Sequence, residues 1–277
     1  MPSAEKGELR REPDALDGAR VLALALVATA AIGSLGGAGL SNDLRSALLQ
    51  ASFFLVPIAY ARASKLAPLR DAGFARPRLL DVFLTLAASM ASLWLLKGLL
   101  DLQNELFSAF GTKELAEEEA RKIERTLDRA RRQGGLPLLS LFAVVPPLCE
   151  ETLFRGLMLR GFERGFGTAR ALLYTSLLFA GMHGTSAQLL LMTFLGLYFG
   201  ALAALGGSLW LAILAHAINN GAVLALQVVW GAEVQDFRAS PLVLALSALV
   251  LAGVLAYFGL RRRAGALRDQ VLGAPGA

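Results

Sequence analysis

Long apolar blocks separated by short polar connections run through most of the chain. A helix crossing a hydrocarbon core needs roughly 20 mostly apolar residues. On that length the pattern predicts eight spans, at about 20–40, 45–61, 80–100, 137–160, 170–184, 187–205, 208–230 and 240–260. The fifth is short and the fourth carries charge. The fold class expected is all-α, a polytopic membrane protein of about eight transmembrane helices. There is no internal repeat and no low-complexity segment. Residues 1–19 form a mixed-charge tail, expected to be disordered. Ala28-Thr29-Ala30 looks like a signal-peptide cleavage site, but five acidic residues in the leader and a long apolar run beyond argue for a retained helix.

Basic residues report which connections stay in the cytoplasm. The second-to-third connection holds Arg62, Lys65, Arg70, Arg76 and Arg78 against one acid, Asp71. The fourth-to-fifth holds Arg160, Arg164 and Arg170, and Arg261, Arg262, Arg263 and Arg268 follow the last span. All three fall on one side when both termini are cytoplasmic. Residues 101–136, placed on the other side, disagree with the rule, carrying seven basic and eight acidic residues. Glu118 with Lys122, and Glu124 and Asp128 with Arg132, have i,i+4 spacing, so this segment reads as an amphipathic or solvated helix. The expected organisation is therefore a tail (1–19), a three-span region (20–100), a charged connection (101–136), a core (137–230), and a last span with a basic tail (231–277).

Composition agrees with the pattern. Of 277 residues 55% are hydrophobic and 18% charged, with a mean hydropathy of +0.54. A soluble domain has about 45–50% and about 25%. A secreted disulfide scaffold, a disordered regulator and a nucleic-acid module are excluded, so the net charge of +5 is read as sidedness and no nucleic-acid partner is expected. The single cysteine, Cys149, rules out an intrachain disulfide and a multi-cysteine metal site. Cys149 reads as a small hydrophobe in an apolar helix.

An ionisable group inside a span costs at least about 2.5–3.5 kcal/mol on insertion scales and points to function. The fourth span contains Glu150-Glu151-Thr152-Leu153-Phe154-Arg155, the fifth Phe179-Ala180-Gly181-Met182-His183, the seventh His216-Ala217-Ile218-Asn219-Asn220. His183 and His216 are the only histidines of the chain. At about 1.5 Å per residue, Glu150, His183, His216 and Asn220 lie some 12–20 Å from the basic ends of their helices, near the middle of a core roughly 30 Å thick. Almost no other strongly polar group lies deep in the apolar blocks.

Adjacent Glu150 and Glu151 point about 100° apart and cannot face one target. Glu151 and Arg155 are i,i+4 and pair, which leaves Glu150 to face a cavity as a general base. His216 and Asn220 are also i,i+4, two donors suited to an oxyanion on a scissile carbonyl. His183, from another helix, can share a water with Glu150. Asn219 reads as packing, Gly33 and Gly37 as close helix packing, and Pro146-Pro147 as a kink before the glutamates.

The three segments EETLFR, FAGMH and HAINN, in order and on helices, resemble the CPBP (Abi) family of intramembrane proteases. That family includes the type II CAAX prenyl endopeptidases and bacteriocin-processing or immunity proteins, and its pattern is E-E-x-x-x-R, F-x-x-x-H, H-x-x-x-N. The resemblance covers roughly 137–230, about a third of the chain. It implies about eight spans around a conical cavity open to cytosol and lipid, and hydrolysis of a peptide bond near the C-terminus of a membrane-tethered protein or peptide. It also implies that Glu150 and His183 activate water and that His216 and Asn220 stabilise the tetrahedral intermediate. Arg155, Glu151 and Phe179 are then supporting residues.

The Ala/Leu/Arg/Gly-rich composition suggests a bacterial inner membrane, where sorting-signal tails or bacteriocin-like peptides are the expected substrates. The family is often classed among metalloendopeptidases, and Glu150, His183 and His216 could form a zinc site with an open position. There is no H-E-x-x-H, and a metal-free glutamate mechanism accounts better for Asn220 and Arg155, so no cofactor is favoured. Two other readings remain: a non-proteolytic relative acting in immunity or assembly, and a proton-coupled transporter, against which the lack of repeated halves speaks.

Overall fold

The computed structural model describes the chain except residues 1–10, 36–39, 113, 115–117, 119–120, 122–124, 126–142, 184–187, 231–236 and 273–277, and the side chains at 227–230 and 272. Among the described residues there is no strand. The helices are α1 (Ala15–Ser34), α2 (Asn42–Ala63), the short α3 (Pro68–Asp71), α4 (Leu79–Ala109) and α5 (Val145–Glu151). A π-helical segment (Thr152–Met158) joins α5 to α6 (Leu159–Phe166), followed by α7 (Thr168–Met182), α8 (Leu189–Gly206), α9 (Leu209–Trp230) and α10 (Pro241–Leu272).

All eight predicted spans contain helix, and six of the helices (α1, α2, α4, α8, α9 and α10) are long and apolar enough to cross a membrane. The two exceptions are informative. The fourth span is broken by the π segment, where Gly156 takes ψ −117°, and α7 has only 15 residues. At about 1.5 Å per residue α7 reaches some 22 Å, short of a core roughly 30 Å thick. Its C-cap is His183, so the shortened helix ends on a motif residue. Outward faces are apolar, with Val27, Leu242 and Leu249 among the most exposed side chains. The chain is a polytopic all-α membrane protein.

Several expectations change. Residues 15–19 are not tail: α1 begins at Ala15, where Asp14 and Asp17 form a reciprocal capping box. Buried Asp17 also accepts from Tyr60 Oη at 2.6 Å and Arg11 Nη2 at 2.5 Å. Pro146 and Pro147 stand in the first turn of α5, which needs no amide donors; the chain before Ala143, on which the predicted kink depends, lies outside the described residues, and a distortion is seen at the π segment. Gly33 has nothing within 4 Å of where a Cβ would stand, and Gly37 lies outside the described residues. The close approaches occur elsewhere. A Cβ on Gly161 would meet the Asp14 carbonyl at 2.3 Å, and one on Gly196 would meet Ser176 Cβ at 2.8 Å, which is how α1 packs on α6 and α7 on α8. Residues 101–109 continue α4, and most of the charged 110–136 segment lies outside the described residues. The basic tail is helical through Leu272 as part of α10.

The π segment is the centre of the bundle, touching α1, α2, α7, α8 and α9, with Leu153, Phe154, Arg155, Leu157 and Met158 fully buried or nearly so. The predicted basic connections gather at one end. Ser208 Oγ donates to the Ala75 carbonyl at 2.5 Å and the Leu209 amide to the Gly73 carbonyl at 2.8 Å. Arg164 pairs with Glu12, Arg262 with Glu163, and Arg261 with Asp81. At the other end Arg238 bonds Glu105 at 2.8 Å, bringing the connection before α10 against the end of α4.

Candidate functional site

Arg155 on the π segment has no exposed surface. Its Nη1 donates to Glu151 Oε1 at 3.1 Å and its Nη2 to the Gly196 carbonyl at 3.0 Å. The guanidinium carbon lies 4.4 Å from the ring centre of Phe179, a cation–π contact that covers the remaining face. The predicted Glu151–Arg155 pair is therefore present and fully buried. Such a pair is held by geometry, because desolvation of two ions offsets much of their attraction.

Glu151 does more than the spacing indicated. The same Oε1 lies 2.9 Å from Nδ1 of His216, on α9. A carboxylate oxygen can only accept, so Nδ1 carries the hydrogen and Nε2 is left for other work. The His216 ring is buried, stacked on Phe199 with centroids 4.7 Å apart and planes at 16°. One turn on, Asn220 is half-buried and itself partnered, while Asn219 is buried with no hydrogen-bond partner for its Oδ1 among the described residues.

His183 is fixed in the same manner from a different element. Its Nδ1 lies 2.8 Å from the Phe179 carbonyl, an acceptor, so again Nε2 is the nitrogen left over. The Phe179 ring is 4.6 Å from the His183 ring and 6.0 Å from that of His216, and meets Phe154 edge-on at 5.3 Å. Phe179 is thus the spacer on which all three motifs rest: Arg155 over its face, and a histidine from each of the other two segments against its ring.

Glu150 is buried and stands apart from that chain of contacts. Its Oε1 accepts from Gln50 Nε2 at 3.0 Å. Gln50 is the residue that reading the sequence missed, and it corrects the expectation that little else polar lies at depth. A signal was available: between Arg45 and Arg62 it is the only amide or charged side chain in α2. Along α2 it lies about 12 Å from Asn42 and about 15 Å from Tyr60, so Glu150 sits near mid-bundle. Cys149, next in sequence, is buried among apolar neighbours of the core.

The donors do not suit a zinc ion as they stand. Among the described residues no three His, Cys, Asp or Glu side chains are grouped so as to hold a metal. Glu150 is bonded to Gln50, while His183 and His216 each keep Nε2 free among the described residues.

Residues 132–222, about a third of the chain, match the family described as Type II CAAX prenyl endopeptidase Rce1-like. The matched segment contains all three motifs and bears out the resemblance to the CPBP intramembrane proteases. It supports a protein of the CAAX-type intramembrane endopeptidase kind, a hydrolase embedded in the lipid bilayer that acts on peptide substrates. No curated protein and no solved structure matches the chain.

Proposed function

We propose that the chain hydrolyses a peptide bond near the C-terminus of a membrane-tethered protein or peptide, with water activated by Glu150 and His183. The observation that carries this reading is the meeting of the three motifs around Phe179, in which Arg155, Glu151 and His216 form one buried chain of contacts. Glu150, steadied by the Gln50 amide, takes a proton from water, and His183 Nε2 holds that water in place. The hydroxide adds to the scissile carbonyl. His216 and the Asn220 amide receive the oxyanion.

Glu151 gives this scheme its logic. Holding Nδ1–H, it faces a His216 ring that keeps a proton on both nitrogens throughout the cycle, and the Nε2–H is the donor the oxyanion needs. Arg155 adds a second cation beside the Glu151 carboxylate. When the C–N bond breaks, Glu150 returns its proton to the leaving nitrogen, and the products are a new carboxyl group and an amine. No step requires a metal.

The basic end of the bundle is cytoplasmic on the charge rule, and the membrane is a bacterial inner membrane. Sorting-signal tails or bacteriocin-like peptides are the substrates that fit. The test is mass spectrometry of membrane-protein C-termini from cells carrying the native chain or Glu150→Ala. Tails that persist only with Glu150→Ala are expected. Identical C-termini in both, with immunity or assembly phenotypes intact in the variant, would favour the non-proteolytic reading.

A further inference from the structure

At the basic end a cavity of about 260 Å³ opens between α6, α8 and α10. Four arginines line it, Arg155, Arg160, Arg261 and Arg262, with Glu163 as the one acid. Three of the four are matched: Arg155 by Glu151, Arg261 by Asp81 and Arg262 by Glu163. Arg160 is not. Among the described residues it makes no ion pair or hydrogen bond, and its Nε is buried without a partner. The two carboxylates whose field reaches it are engaged elsewhere, Glu163 with Arg262 and Thr168, Asp71 with Arg70 and the Ala67 amide. The guanidinium rests on Gly73, where any Cβ would stand 2.0 Å from Nη2 and where φ is +85°. Glycine at that position makes room for the arginine.

We propose that this cavity binds the phosphate of an anionic phospholipid, with Arg160 as the charge that meets it. A part-buried guanidinium without a counter-ion is costly, and a phosphate oxygen pair satisfies its planar fork. Basic pockets between transmembrane helices at a membrane surface are where anionic head groups bind. The lining favours a lipid over a free ion: Ala204 and Leu205 of α8 give it an apolar surface that a head-group glycerol can cover. Because Arg155 lines the cavity and also holds Glu151, the site adjoins the charge network of the catalytic region.

The test is thermal unfolding of the full chain in nanodiscs. Replacing part of the phosphatidylcholine by phosphatidylglycerol should raise the melting temperature by about 3 °C or more. Arg160→Gln should abolish that rise and Arg160→Lys should retain part of it. Arg263→Gln, an exposed arginine outside the cavity, should leave it unchanged. An equal rise in Arg160→Gln would overturn the proposal, since general surface charge would then explain it. So would an equal rise in phosphatidylcholine with millimolar inorganic phosphate, or with a peptide bearing a free C-terminal carboxylate but not its amide.

Discussion

Glu151 Oε1 stands 2.9 Å from His216 Nδ1 and 3.1 Å from Arg155 Nη1, so one carboxylate oxygen ties α9 to the π segment. Both partners are buried, and Glu151 Oε2 has no hydrogen-bond partner among the described residues. Glu151→Ala would strip the counter-ion from a fully buried guanidinium, at a cost of about 3–5 kcal/mol. Glu151→Gln keeps an acceptor for both donors but not the charge that supports a protonated His216. Melting curves and cleavage rates together should separate the two. The alanine variant is expected to lose fold and activity, and the glutamine variant chiefly activity.

Gln50 acts on the reaction through Glu150. Gln50→Leu removes the one amide donor seen on the Glu150 carboxylate and should lower kcat about tenfold, some 1.4 kcal/mol, with little change in KM. Gln50→Asn, which retains the amide, should recover part of the loss. A KM effect alone would place Gln50 in substrate binding instead.

Much of this arrangement could be read from the residues. Spacing alone paired Glu151 with Arg155, and each apolar block contains helix, six of them long enough to cross a membrane. The depth count also put Glu150 near mid-bundle, where its contact with Gln50 leaves it. What spacing could not provide was contact between elements distant in sequence. Gln50 and Glu150 are 100 positions apart, and Glu151 and His216 are 65 apart. The start of α1 was misjudged because charged residues before an apolar run look like a tail. In this case Asp14 and Asp17 cap the helix, and Asp17 is buried against Tyr60.

Chelation should leave cleavage unaffected. Among the described residues no three His, Cys, Asp or Glu side chains are grouped so as to hold a metal, and Glu150 is bonded to Gln50. Activity lost to a chelator and restored by zinc would contradict this and would require the donors to regroup.

The contact between Glu12 and Arg164 gives a small pH effect at the basic end. Arg164 beside it holds the Glu12 carboxyl below its ordinary range. The contribution is therefore complete above the usual carboxylate pKa and is lost as pH falls through the lowered value. Both side chains are 40% exposed or more, so the effect should stay below about 1 kcal/mol. Melting temperature should dip slightly on acidification in the native chain, and Glu12→Gln should remove that part of the dip.

The most direct test is the initial rate of peptide-bond cleavage in proteoliposomes by the native chain and by Glu150→Gln, with melting temperature measured on the same preparations. Glutamine preserves the size of the side chain and its bond to Gln50 but cannot accept a proton from water. The predicted result is a fall of at least about 100-fold in kcat with an unchanged melting temperature. Cleavage at an undiminished rate by Glu150→Gln would contradict the assignment of Glu150 as the base.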